Sequence, residues 1–200
     1  MLTGPSTSSR IFIKPDKGTA MAKIQVFYDY ECPFCKRGYE ALTELLPDYP
    51  DVDIEWRPVE SHPRPEDHPP HTDLCVRSYY IARELKADMK AFHAAMFKAV
   101  AGERRDVEKP EVIAEILKGI LDSEKLTGFL KSGKYAGQVS ENNDTAYETK
   151  GVWYVPAFRV LEYAHKGPAP LLDAKGGAGV SKDEIKTFLD QVSGRSQAEG

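Results

Sequence analysis

No stretch of the 200-residue chain approaches the roughly 18 apolar residues in a row that a membrane span needs, so a membrane is not an expected partner. Basic residues never gather into a long run, and the net charge of −4 argues against nucleic acid as the main partner. Cysteine is scarce: three residues are too few for a structural disulfide framework, which a chain of this size does not need in order to bury a core. A secretory signal is also missing. Residues 1–20 hold one short apolar run, Ile11-Phe12-Ile13, where a signal carries about 7–15 apolar residues. The polar stretch 1–22 reads as a loose leader, with Met21 as an alternative start, and the expected setting is cytoplasmic. There is no internal repeat.

The hydrophobic pattern is of a mixed α/β chain. Ile24 to Tyr28 reads as a strand. After Asp29-Tyr30-Glu31-Cys32 a helical period begins, with Tyr39, Leu42 and Leu46 on one face and Pro47 as its stop. Pro33 sits near the first helical position, where its missing N–H removes nothing. Asp53 to Val59 reads as a second strand. Residues 61–72 are a Pro- and His-rich loop, and from Asp73 to about Lys150 the pattern is almost wholly helical. Leu85, Met89, Phe92, Met96 and Val100 form one stripe. A second helix follows Pro110, a third is capped by Ser123, and a fourth, more polar one covers 134–149. At Gly151 strand character returns, interrupted by Pro156, with Leu171-Leu172 as a weak last strand. Ser181 and Glu184 form a capping box for a final helix. The expectation is one α/β domain from 23–72 and 151–193, with 73–150 as a helical insertion.

Two of the cysteines, Cys32 and Cys35, lie three residues apart at the strand-to-helix junction. Thiol–disulfide exchange needs one thiolate to attack a disulfide and a second thiol to resolve the mixed disulfide. Cys32 at the first turn meets unpaired amides and the positive end of the helix dipole, which favour its anion. Cys35 lies one turn on, within reach, and is the expected buried resolving partner. Pro33 and Phe34 offer no side-chain hydrogen bond to the thiolate, so a weaker oxidant than a Cys-Pro-His-Cys site is expected. Half a zinc site is the competing reading of such a pair, but that arrangement sits in a knuckle between strands and calls for a second pair.

The run Phe27-Tyr28-Asp29-Tyr30-Glu31-Cys32-Pro33-Phe34-Cys35 resembles the active site of DsbA-like thioredoxin-fold oxidoreductases. Gly151-Val152-Trp153-Tyr154-Val155-Pro156-Ala157-Phe158 is similar to that family's cis-proline segment, and the resemblance spans roughly residues 23–193. It implies a thioredoxin fold with an all-helical insertion between its β-α-β and β-β-α halves. It implies further that Val155-Pro156 is a cis peptide against Cys32, with the backbone of Val155 pairing with substrate. Asp29 and Trp56-Arg57-Pro58 resemble features of the cytoplasmic FrnE-like branch. Asp29 is expected in a turn or cap, with proton relay to Cys35 as the other role that the resemblance implies.

The implied partners are disulfide-containing proteins or small thiols, glutathione among them, and no cofactor is expected because the dithiol carries the electrons. A glutathione transferase or isomerase of the kappa-class type is the enzymatic rival, and a substrate-binding holdase the non-enzymatic one. His62, His68, His71 and Cys75 include the ligand types of a zinc site. Their spacing is irregular, so no metal is expected. The loop reads as one wall of a substrate groove, and Cys75 as a small buried apolar residue.

Overall fold

A computed structural model describes residues 22–163, 167–175 and 178–195. The expected leader, but for its last residue, lies outside the described residues.

The first strand, β1 (Ala22–Tyr28), is buried along nearly its whole length. It is central: the sheet runs β2-β1-β3-β4, with β2 (Val52–Pro58) parallel to β1, and β3 (Ala157–Glu162) antiparallel to it. The edge strand β4 (Leu171–Asp173) pairs antiparallel with β3. A parallel neighbour needs a crossover, and helix α1 (Pro33–Leu45) provides it. Ile24 and Val26 meet Leu42 and Leu45 of α1 and Ile185, Phe188 and Leu189 of the last helix, α7 (Lys182–Val192), in one core. Each such fully buried side chain contributes roughly 1.5–3 kcal/mol. The capping box of Ser181 and Glu184 is formed.

Between β2 and β3 the chain is helical. Helices α2 (Asp73–Glu84), α3 (Met89–Phe97), α4 (Pro110–Ile116), α5 (Ser123–Lys131) and α6 (Ala136–Asp144) follow one another, with π-helical turns at Lys98–Gly102 and Thr145–Thr149. The architecture is the thioredoxin fold with a helical insertion. Three details differ from the pattern reading. The stripe from Leu85 to Val100 is not on one helix: Leu85 caps α2, Lys86 turns left-handed, and Asp88 starts α3 by accepting from the amides of Lys90 and Ala91. Apolar spacing runs through such a break undisturbed, so the period alone hides it. The cap of α5 is Asp122 rather than Ser123, because the Asp122 carboxylate takes the Lys125 amide. The helix after Pro110 ends at Ile116, and the fourth begins as α6 at Ala136.

The insertion holds the segment after β2 in place. Asn142 donates to the carbonyl of Pro58 at 2.7 Å, and the Asn143 carbonyl takes the Glu60 amide at 3.0 Å. The chain therefore leaves β2 in a fixed direction, and the loop beginning at Ser61 is delivered to the start of α1.

Candidate active site

Cys32 is the N-cap of α1 in extended conformation, half-buried, and its sulfur accepts from the Cys35 amide at 3.4 Å. The Cys35 side chain comes within 3.3 Å of it without a disulfide between them. Cys35 is 1% exposed, and the Asp29 amide donates to its sulfur at 3.5 Å. The two thiols are electrostatically unlike. Cys32 is held below the usual thiol range by the hydrogen bond from the Cys35 thiol and by the amides of Cys35 and Phe34, against the opposing effect of burial. Cys35 is pushed well up by burial, and then by its bond to Cys32. One thiol is a thiolate at lower pH than its partner.

Alkylation of the reduced protein should reflect that asymmetry. Its rate against pH should give a midpoint below the free-thiol value of about 8.5, and Cys35→Ala should move the midpoint upward, since the largest stabilising bond is gone. An unchanged midpoint in Cys35→Ala would remove this account of Cys32.

Val155 and Pro156 come to the pair from 123 residues away. The Val155 carbonyl stands 3.6 Å from the Cys32 sulfur, and the Val155–Pro156 peptide is cis. Pro156 is seated against α1 at Gly38, where a Cβ would lie 3.1 Å from the proline ring, so the helix and the proline meet at a position with no side chain. Pro33 is exposed, while Phe34 lies between the Arg37 guanidinium, 4.7 Å over its ring, and the backbone of Gly179.

Asp29 is buried beneath the dithiol. Its carboxylate accepts from the Ser61 amide at 2.6 Å and from the Glu31 amide at 3.2 Å, so it forms the turn before Cys32 and ties it to the loop. Burial raises its pKa against those two bonds. Glu31, which pattern reading does not single out, faces the same space as Cys32. Burial, reinforced by Asp29, pushes it to about 7, while His62, 4.0 Å away, opposes the shift.

Two clefts meet at this point. One, of about 660 Å³, is lined by Glu31, Cys32, Phe34, His62, His68 and Arg104 among others. The other, of about 390 Å³, is lined by Phe34, His62, Tyr147, Trp153, Tyr154 and Val155 among others. Trp153 is 84% and Tyr154 56% exposed, an unusual display of large aromatic surface in the chain segment that meets Cys32. The histidine loop does wall the first cleft, with the rings of His62 and His68 3.9 Å apart. His71 is turned away, its Nδ1 3.1 Å from the His62 carbonyl, and Cys75 is fully buried in the helical core. Among the described residues no group of three His, Cys, Asp or Glu side chains is placed to hold a metal ion.

The arrangement matches known proteins. The model of the family described as "DSBA-like thioredoxin domain" matches residues 23–162. An uncharacterized protein, YwbO, of Bacillus subtilis is 22% identical over 182 residues, covering 73% of this chain and 90% of that protein. Among solved structures, a probable DsbA oxidoreductase from Streptomyces coelicolor superposes with a TM-score of 0.71 at 18% identity, over 86% of this chain and 90% of that one. BdbD of Bacillus subtilis, in its oxidised form, gives 0.61 at 21% identity, over 89% and 90%.

Proposed function

From the family to which this chain belongs, that of the DSBA-like thioredoxin domain, we propose that it is a thiol–disulfide oxidoreductase in which Cys32 attacks and Cys35 resolves. The observation that carries this reading is the asymmetry of the pair. Cys32 is half-exposed at a helix start with its anion favoured, and Cys35 is buried 3.3 Å away with its proton retained. In the reducing direction the Cys32 thiolate attacks one sulfur of a substrate disulfide, and the other leaves as a thiolate that takes up a proton. The Cys35 thiol then loses its proton, and its sulfur displaces the bound sulfur from Cys32. A Cys32–Cys35 disulfide and a second substrate thiol result, two electrons having passed to the substrate. The opposite direction is the same sequence reversed.

Val155 is given the role of pairing an extended substrate through its backbone, and its carbonyl already lies at the Cys32 sulfur. Pro33 and Phe34 complete the active-site turn. Asp29 is assigned the turn rather than a relay, since passing a proton would require its carboxyl to release Ser61 or Glu31. The FrnE-like branch, and with it a cytoplasmic setting, is the branch proposed, on Asp29 three residues before Cys32 and on Trp56-Arg57-Pro58. Disulfide-containing polypeptides are the proposed substrates, with small disulfides such as glutathione disulfide as alternatives.

Insulin reduction tests the reading. Wild type should catalyse it, Cys32→Ser should abolish it, and Cys35→Ser should accumulate mixed disulfides with the substrate. Activity that survives Cys32→Ser would end the proposal. Since neither Pro33 nor Phe34 donates a side-chain hydrogen bond to the thiolate, the reduction potential should lie below the roughly −120 mV of the strongest oxidants.

A further inference from the structure

A third cleft, of about 580 Å³, opens where α1, the outer strand β2 and helices α2 and α3 meet. None of Cys32, Phe34, His62 or Val155 lines it, so it is separate from the dithiol site. Its volume lies within the roughly 300–1,000 Å³ of small-molecule sites.

Its inner wall is aromatic. Tyr39 and Trp56 stand 5.2 Å apart with their planes inclined at 55°, and Tyr79 lies beside them. His93 is packed behind all three, with centroid distances of 4.9, 5.5 and 5.7 Å. His93 is 2% exposed, and its Nδ1 is 3.0 Å from the Tyr30 hydroxyl, which is in turn 3.1 Å from that of Tyr28. Its Nε2 is likewise buried, with no hydrogen-bond partner among the described residues, so the histidine backs the aromatic wall.

The rim is cationic. Arg83 and Lys90 are exposed, and neither forms an ion pair among the described residues; the Arg83 guanidinium lies over the Tyr79 ring, 5.7 Å from its centroid, and 3.5 Å from its hydroxyl. Of the lining carboxylates, Glu55 is engaged by Arg57 at 2.6 Å and Lys23 at 3.3 Å, which leaves the exposed Asp53 as the free acid. Free cations thus outnumber free anions around an aromatic cup. We propose that this cleft binds an anionic aromatic small molecule. Its ring lies against Tyr39 and Trp56, and its acid group meets Arg83 and Lys90. Stacking supplies the area and the cations the sign.

The chain has two tryptophans, so Trp153→Phe leaves Trp56 as the one reporter. Titration of that protein with 6-hydroxynaphthalene-2-sulfonate, which carries a ring, an acid and a polar atom, should quench Trp56 fluorescence saturably. Arg83→Ala with Lys90→Ala should weaken binding by about tenfold or more, as should replacing the probe by neutral 2-naphthol. Absence of saturable quenching would overturn the proposal, as would equal affinity for the neutral probe or indifference to the loss of Arg83 and Lys90. Both are exposed surface positions, so the double variant tests the site without disturbing the core. The readout is independent of the thiols, and insulin reduction by wild type reports separately on the dithiol proposal.

Discussion

Gly179→Ala should lower the unfolding free energy by about 2–5 kcal/mol and disturb Cys32 at the same time. Gly179 has φ +73°, a left-handed conformation that costs a side-chain-bearing residue roughly 1–2 kcal/mol. A Cβ there would also stand 2.7 Å from Cδ1 and 2.9 Å from Cβ of Phe34. The second distance matters more. Rotation of the phenyl ring relieves a clash at Cδ1, but Cβ moves only with the backbone, so the first turn of α1 has to shift. Overpacking of this kind costs about 1–3 kcal/mol. The Phe34 amide is among the groups that hold the Cys32 thiolate, and a displaced turn loosens it. Urea unfolding and the alkylation rate of Cys32 should therefore change together. Gly128→Ala is the control. Nothing lies within 4 Å of its Cβ position inside α5, so it should be neutral or stabilise by up to about 1 kcal/mol. If Gly179→Ala unfolds at the wild-type urea concentration, the loop does not press on Phe34 as described.

The placement of Cys32 and Cys35 was legible because it is local. Cys32, Pro33 and Cys35 occupy one turn, and the strand before them and the helical period after them are strong short-range signals. Pro156 was legible for a different reason: a proline in an otherwise β-rich run demands an explanation, and in the fold it sits just before β3 and against α1. The insertion was readable as helical but not in its divisions. Where Lys86 turns left-handed and Asp88 caps α3, the apolar spacing continues across the break, and only the capping hydrogen bonds reveal it.

What stayed hidden depends on long-range placement. Gly38 and Gly179 look like any glycine in sequence; one lets Pro156 approach α1, and the other supports Phe34 from 145 positions further along the chain. The position of Glu31 next to Cys32 says nothing of its pKa near 7, which comes from burial by the 61–70 loop and from Asp29 below. His93 appears in sequence as one residue of a helical face. Its surroundings are assembled from Tyr28 and Tyr30, Tyr39 of α1, Trp56 of β2 and Tyr79 of α2, and no spacing links those positions.

That burial has a consequence for His93 in acid. Between pH 7 and pH 4 the wild type should lose about 3 kcal/mol of unfolding free energy relative to His93→Phe. Desolvation pushes His93 down to about 3, whereas the unfolded residue titrates near 6.5. Between those values the unfolded chain carries a proton that the folded protein refuses. Stability therefore falls as pH falls, beginning near 6.5, and levels off only near 3. At about 1.36 kcal/mol per pH unit, the 2.5 units from 6.5 to 4 give the stated figure. Asp29, Glu31 and Glu60 act in the opposite sense, since burial raises each of them and the folded protein takes up their protons first. Those groups are present in both proteins and cancel in the difference, so the comparison isolates the histidine. Urea unfolding of the two proteins at pH 7, 5.5 and 4 measures it. Curves that stay parallel would mean that His93 gains its proton in the folded state, and that the hydroxyl of Tyr30 and the rings around it are less closed to water than the structure draws them.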